Sequence, residues 1–105
     1  MTIRQLQQDA HRIAVEHGWW DRPRSAGEAL MLVVTELAEA MEALRAESPK
    51  SEKIPGFSKV EEELADAVIR ILDLAGGHGL DIEGALEAKM HYNESRPYRH
   101  GGKLA

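Results

Sequence analysis

Two long segments of the chain are apolar at helical spacing and leave little room for a polar face. Between Ser25 and Ala46, and again between Ser58 and Gly77, large apolar residues recur every three or four positions and cover well over half of a helical circumference. No segment alternates with the period of a strand. Helices that are apolar on most sides must be buried on most sides, and a chain of 105 residues offers little to bury them against. The pattern therefore predicts an all-α fold that assembles as a helical-bundle homo-oligomer, either a dimer or a tetramer.

Capping and breaking residues divide the chain, which we interpret as a single domain over residues 1–105, into four helices. Two Ser-x-x-Glu patterns, Ser25 with Glu28 and Ser58 with Glu61, predict capping boxes at helix starts. Asp81 is a predicted cap for the last helix, and a glycine-containing tail follows it. The predicted helices run from about Ile3 to His17, from Ser25 to about Ala46, from Ser58 to about Gly77, and from Asp81 to the approach of Pro97.

The composition excludes several classes of function. The chain has no cysteine, so disulfides, thiolate metal sites and cysteine nucleophiles are excluded. No apolar run reaches the roughly 18 residues of a membrane span, and no signal-peptide pattern opens the sequence, so we expect a cytoplasmic protein with no membrane partner. The formal net charge of -5 argues against broad nucleic-acid binding.

The two apolar helices each contain a pair of acidic residues. Glu36 with Glu39, and Glu63 with Asp66, are spaced i, i+3, so each pair shares one helix face. Antiparallel packing of the two helices would bring the four carboxylates together. Burying an unpaired carboxylate costs several kcal/mol, and a divalent cation between the four would offset that cost. An all-oxygen ligand set selects a hard ion, Mg²⁺ or Mn²⁺.

Two other interpretations of these acids stay open. The acids could belong to a solvated face in which Glu42 pairs with Arg45 and Asp66 with Arg70. We assign four further acids to such a face: Glu42, Glu47, Glu61 and Glu62. A di-iron bundle is the rival metal centre, but it normally uses E-x-x-H on two helices, and no histidine stands in the required places.

A stripe of the last helix suits phosphate groups. Lys89, Asn93 and Arg96 fall at i, i+4 and i+7 and present an ammonium, an amide and a bidentate guanidinium on one face. The alternative is a solvated helix end, where the helix dipole favours cations. Opposite an acidic metal site, the stripe predicts a clamp for a metal-bound polyphosphate.

The stretch H-G-W-W-D-R-P-R holds both tryptophans of the chain. Adjacent tryptophans are commonly anchors of a core or an interface. They can also provide a wall against which a nucleobase stacks. The candidate base-binding residues are His17, Trp19 and Trp20, and the sequence does not decide which tryptophan faces a ligand.

Three motifs carry a resemblance to a known family. E-L-A-E beginning at Glu36, E-L-A-D beginning at Glu63 and the C-terminal K-M-H-Y-N-E-S-R-P-Y-R-H-G-G-K resemble the MazG-like nucleotide pyrophosphohydrolases. These belong to the all-α NTP pyrophosphatase superfamily, and the resemblance runs over about residues 17–103. It implies a four-helix MazG-like domain and a Mg²⁺-dependent hydrolase that cleaves a nucleoside or deoxynucleoside triphosphate to the monophosphate and pyrophosphate, in house-cleaning of the nucleotide pool. The four paired acids would then be the metal ligands and catalytic residues.

The resemblance leaves the general base and the competing functions open. Some relatives have an additional acid just before the first motif, where this chain has Thr35. Relatives also take aromatic residues from the region of the paired tryptophans to bind the base. The alternatives are a non-catalytic helical oligomer that binds nucleotides or a partner protein, and a phosphoribosyl-ATP pyrophosphohydrolase.

Overall fold

The computed structural model describes all 105 residues, and the prediction of an all-α fold is confirmed. The helices are α1 (Ile3–Glu16), α2 (Ala26–Arg45), α3 (Lys59–Gly77), α4 (Ile82–Glu94) and the single turn α5 (Arg99–Gly102). The first four lie where the caps and breakers predict them. The fifth is an unpredicted turn in the tail, where His100 and Gly101 have left-handed backbone angles. None of the helices combines the length and the apolar character needed to cross a membrane.

Local side-chain caps explain where the helices begin. Ser58 and Glu61 form the complete predicted capping box, because each side chain accepts a hydrogen bond from the backbone N–H of the other. At the start of α2 only half of the predicted box forms: Ser25 Oγ accepts from the N–H of Glu28, with no return bond. Asp81 caps α4 as predicted.

The helices pack around α3, which contacts both α1 and α2, whereas α4 contacts α1. The buried apolar residues are mostly small, which allows the helix axes to approach closely: Ala29, Val33, Ala40, Ala43, Ala67, Leu72 and Ala75. No large side chain is fully buried. The core of the single chain is therefore thin.

Large apolar side chains line the outside of the two central helices. On α2 they recur with alternating spacings of four and three residues and are each about half exposed: Leu30, Val34, Leu37, Met41 and Leu44. On α3 the same spacing gives Leu64, Val68 and Ile71. The radius of gyration is 16.2 Å, against about 13 Å for a compact domain of this length. The single chain thus leaves the apolar faces of α2 and α3 uncovered.

Candidate metal and polyphosphate site

Three of the four predicted ligands come together between α2 and α3. Oxygen atoms of Glu36, Glu39 and Glu63 lie within 4.8 Å of one another. Glu36 and Glu63 are buried at 8% and 3% exposure, and Glu39 is exposed. The two helices run antiparallel, with Glu39 beside Glu63 and Glu36 beside Arg70. The i, i+3 spacing on each helix and the reversal between them therefore bring these carboxylates together.

The fourth predicted ligand, Asp66, lies in a second group that shares one member with the first. Oxygen atoms of Asp66, Glu62 and Glu63 are also within 4.8 Å of one another. The assignment of Glu62 to a solvated face is wrong, because Glu62 is only 5% exposed. It accepts hydrogen bonds from Ser51 Oγ and from Lys59 Nζ, and the connection between α2 and α3 folds back over it. Burial of Glu62 thus depends on a loop that the helical period does not describe.

Two cations pair with the two buried ligand acids, Glu36 and Glu63. Arg70 Nε donates to Glu36 Oε1 at 3.0 Å, and Lys59 Nζ lies 2.8 Å from Glu63 Oε1. Asp66 was the partner considered for Arg70 from the sequence, whereas the observed ion pair joins α3 to α2. The expected pair of Glu42 with Arg45 does form, at 3.5 Å on the surface of α2.

The charges of the cluster show in the pKa values of its members. The Lys59 ammonium lowers the pKa of Glu63 to about 2, despite burial. Contact with the side chain of Glu63, and then the charge of Glu36, raise the pKa of Glu39. Burial, followed by the charge of Glu63, raises the pKa of Asp66. The carboxylates are thus crowded, and they compete for the positive charge available.

The cluster fits a hard divalent cation. Glu63 Oε2 is buried and has no hydrogen-bond partner, which is costly for a carboxylate oxygen unless another ligand satisfies it. The converging donors are all carboxylate oxygens, the ligand type that suits Mg²⁺ and Mn²⁺. Glu36, Glu39 and Glu63 would hold such an ion, with Asp66 adjacent.

The cluster lies in a groove of about 1190 Å³ between α1, α2 and α3. The groove has an acidic region formed by Glu36, Glu39, Glu63 and Asp66. Four cations also line it: Arg24, Lys53, Lys59 and Arg70. Small and apolar residues of α1 form another part of its wall: Ala10, Ile13 and Ala14. The groove therefore combines carboxylates, cations and an apolar wall in one cavity.

The two tryptophans have different environments. Trp19 is 68% exposed and lines the groove together with His17. Trp20 does not line it. Its ring packs beside Gly77, and its indole N–H donates to Asp73 Oδ1 at 2.8 Å. Of the candidate base-binding residues, the structure therefore places His17 and Trp19 in the groove, whereas Trp20 is half-buried against α3.

Asp73 is a buried polar centre that the sequence reasoning missed. It accepts hydrogen bonds from His11 at 3.0 Å and from Trp20, and its Oδ2 accepts from Arg24 at 3.1 Å. The Arg24 guanidinium lies 5.0 Å from the centroid of the Trp20 ring. One signal was available, since Asp73 stands inside the apolar run I-L-D-L-A on α3. An acid in such a run needs donors from another part of the chain.

The predicted phosphate residues are not brought to the carboxylates within one chain. Lys89, Asn93 and Arg96 lie on or just after α4, and none of them lines the groove. Lys89 Nζ and Arg96 Cζ lie 4.6 Å and 5.5 Å from the centroid of the Tyr92 ring. Within the single chain, the cations beside the acids come from α3 and the loops instead.

The geometry of the groove is thus defined, and the family resemblance remains a prediction. The acidic residues of the E-L-A-E and E-L-A-D motifs that carry the resemblance line the groove. This observation concerns those residues and does not establish the family. Comparison of the chain with protein-family models, with curated proteins and with solved structures finds no match.

Proposed function

We propose that the protein is a Mg²⁺-dependent nucleoside triphosphate pyrophosphohydrolase, which releases pyrophosphate and a nucleoside monophosphate. One observation above all supports this proposal. Three carboxylates converge in a groove, and the most buried of them has an oxygen atom without a partner. A site of this kind suits a divalent cation, and a polyphosphate is the common substrate of an enzyme that presents such a cation beside basic side chains.

The residues of the groove have distinct roles in the proposed reaction. Glu36, Glu39 and Glu63 hold the metal, and Asp66 lies close enough to join them or to bind through water. Mg²⁺ held by these residues would supply charge neutralisation for triphosphate oxygens and a lower pKa for a water molecule near the α–β anhydride. The cations that line the groove stabilise charge on the phosphoryl oxygens as pyrophosphate leaves.

One of the same carboxylates would accept the proton of the attacking water. Thr35 occupies the position where some members of the family that the chain resembles have an extra acid. The Thr35 hydroxyl donates to the carbonyl of Leu32 at 2.6 Å. That bond ties Thr35 to its own helix. No Ser–His–Asp arrangement lies in the groove, and the proposed hydrolysis requires none.

The groove also suits a nucleotide in its volume and in the arrangement of the residues that line it. Its volume of about 1190 Å³ is somewhat above the range of about 300–1000 Å³ that is usual for small-molecule sites. The acids lie on α2 and α3, whereas Trp19 and His17 lie at the end of α1. A triphosphate at the acids would therefore leave its base in reach of the exposed indole of Trp19.

The proposed active form is a homo-oligomer in which a second copy covers α2 and α3. The accessible surface of the single chain is 8111 Å², against about 5900 Å² expected for a folded monomer of this mass. An excess of about 2200 Å² per chain corresponds to about 4400 Å² over two partners, which is within the range of about 2000–5000 Å² for obligate interfaces. The apolar stripes of α2 and α3 have the alternating spacing that packs helix against helix.

A substrate screen tests the proposed activity. The protein is mixed with Mg²⁺ and with canonical and modified nucleoside triphosphates and phosphoribosyl-ATP, and the release of pyrophosphate is measured. We expect release from at least one substrate, and its loss in Glu36→Gln and Glu63→Gln with helix content retained. Glu87→Gln, on the exposed surface of α4, is the matched control and should retain activity. Absence of pyrophosphate from every substrate would favour a non-catalytic oligomer.

A further inference from the structure

Two cations of the groove are paired with carboxylates that a metal ion would also bind. The Arg70 guanidinium is paired with Glu36, and the Lys59 ammonium with Glu63, at 3.0 Å and 2.8 Å. Both cationic side chains are 38% exposed, whereas the paired carboxylates are 10% and 3% exposed. The acids are therefore fixed in the protein, and the cations are at the solvent side of the pairs.

The charge balance of the cluster changes when a divalent ion enters. The two overlapping groups contain five carboxylates, and Lys59 Nζ is shared between Glu63 and Glu62, which lies 2.9 Å away. Arg70 and Lys59 therefore leave three net negative charges, so the acids are only partly neutralised without metal. A divalent ion among the same oxygens satisfies the acids and repels both cations. Arg and Lys side chains are long and flexible enough to turn away while their helix stays in place.

The groove offers these cations a new partner close by. Both Arg70 and Lys59 line the cavity that the acids occupy. The guanidinium of Arg24 is already held by buried Asp73, and the α4 cations do not reach the groove. Phosphate oxygens at the acids would therefore be within reach of Arg70 and Lys59, as well as of Lys53, which lines the same groove. A guanidinium binds such oxygens through two parallel hydrogen bonds.

We infer that Arg70 and Lys59 act as an exchangeable pair of counter-ions, which neutralise Glu36 and Glu63 without metal and bind phosphate oxygens once metal and polyphosphate enter. The inference rests on the proposed function, because it names the groups that recognise the polyphosphate in the same groove. It assigns a binding role to Arg70, whose observed pair joins α3 to α2, and to Lys59, whose observed pairs lie within the first turns of α3.

The test measures the affinities for Mn²⁺ and for tripolyphosphate. The inference predicts that they change in opposite directions in Arg70→Gln. Mn²⁺ alone is titrated into the protein by calorimetry, and inorganic tripolyphosphate is then titrated into the Mn²⁺-saturated protein. Arg70→Gln removes a competitor of the metal, so Mn²⁺ should bind about fivefold more tightly. The same variant loses a charged donor to phosphate, so tripolyphosphate should bind about tenfold more weakly or worse.

The controls separate binding from folding and from the proposed activity. Arg12→Gln removes an exposed ion pair of α1 and should change neither affinity. Arg70→Lys keeps the charge without the planar fork, so it should bind Mn²⁺ like the wild type and tripolyphosphate more weakly; it replaces Arg70→Gln if that variant does not fold. Unchanged or weaker Mn²⁺ binding in Arg70→Gln, or unchanged tripolyphosphate binding, would overturn the inference. If the wild type binds both probes but hydrolyses no nucleotide, the proposed function fails, and these affinities still decide the role of Arg70.

Discussion

The indole N–H of Trp20 donates to Asp73 Oδ1 across 2.8 Å, which joins the loop after α1 to the C-terminal part of α3. The same carboxylate binds His11 and Arg24, so one buried acid satisfies three donors from two other parts of the chain. Because Arg24 and Asp73 both line the groove, this network also fixes part of the groove wall.

Removal of the central acid should destabilise the fold strongly. Asp73→Ala leaves Arg24, His11 and Trp20 without their shared acceptor, and we expect a loss of about 2–4 kcal/mol in the free energy of unfolding. Urea denaturation at a fixed protein concentration measures it. The exposed pair of Asp9 with Arg12 is the control, and Asp9→Ala should change stability by less than about 0.5 kcal/mol. Equal effects of the two substitutions would contradict the central role of Asp73.

Gly77 is required because the Trp20 ring occupies the space of a side chain there. A Cβ at this position would overlap the six-membered ring of Trp20. Gly77→Ala should therefore cost about 1–3 kcal/mol through overpacking. Gly27→Ala, in the first turn of α2, meets its nearest atom at 3.7 Å and should be neutral or stabilising by up to about 1 kcal/mol. Equal melting temperatures of Gly77→Ala and Gly27→Ala would contradict the packing of the Trp20 ring against Gly77.

The two tryptophans should respond differently to substitution if the groove binds a nucleobase. Trp19 is exposed, so Trp19→Ala should leave stability nearly unchanged while it raises KM by about tenfold or more through lost stacking. Trp20→Ala should instead lower the free energy of unfolding, because it removes a packed ring and a buried hydrogen bond. Steady-state kinetics with the best substrate and urea denaturation compare them. A KM of Trp19→Ala equal to the wild-type value would remove Trp19 from the binding site.

The exposed apolar stripe of α2 predicts where an assembly can be disrupted. Leu37 is 48% exposed at the centre of that stripe. Leu37→Glu places a charge in the proposed interface and should shift the protein towards monomers in sedimentation velocity. Leu37→Met conserves volume and apolar character and should keep the wild-type assembly. An unchanged sedimentation coefficient in Leu37→Glu would exclude this face as the interface.

The cap of α4 should make stability depend on pH. The N–H of Gly84 and, less strongly, the Arg4 guanidinium lower the pKa of Asp81 below its ordinary value of 3.8. A depressed folded pKa means that the charge stabilises the folded chain above the ordinary value and that this contribution is lost as the pH falls through the folded pKa. Asp81→Asn keeps a capping oxygen without the charge. The wild type should therefore be more stable than Asp81→Asn at pH 6, with the difference shrinking below about pH 4 in thermal melts.

Features that depend on neighbouring residues in sequence could be predicted. The helix starts at Ser58 and Asp81 follow from caps three residues away, and they form as predicted. The convergence of Glu36, Glu39 and Glu63 follows from the spacing on each helix and one reversal of the chain. These predictions required only helical geometry.

Features that depend on contacts between distant segments could not be predicted in the same way. Arg70 has Asp66 as a local candidate four residues earlier, but packing offers it Glu36, 34 residues away in sequence. Glu62 has the sequence context of a surface acid, and it is buried because a loop residue, Ser51, covers it. The position of α4 likewise depends on packing between distant segments. From the sequence alone, the cations of α4 are expected opposite the acids, whereas in the single chain they lie away from the groove.

The attachment of α4 has a consequence for motion in solution. This helix has no buried residue and meets the rest of the chain mainly at α1, where Arg4 binds Asp81 and Glu83. Its release exposes little apolar surface, so it can open without unfolding the α2–α3 pair. Amide hydrogens of α4 should thus exchange with solvent deuterium well before those of α3, as expected if α4 opens as a separate cooperative unit.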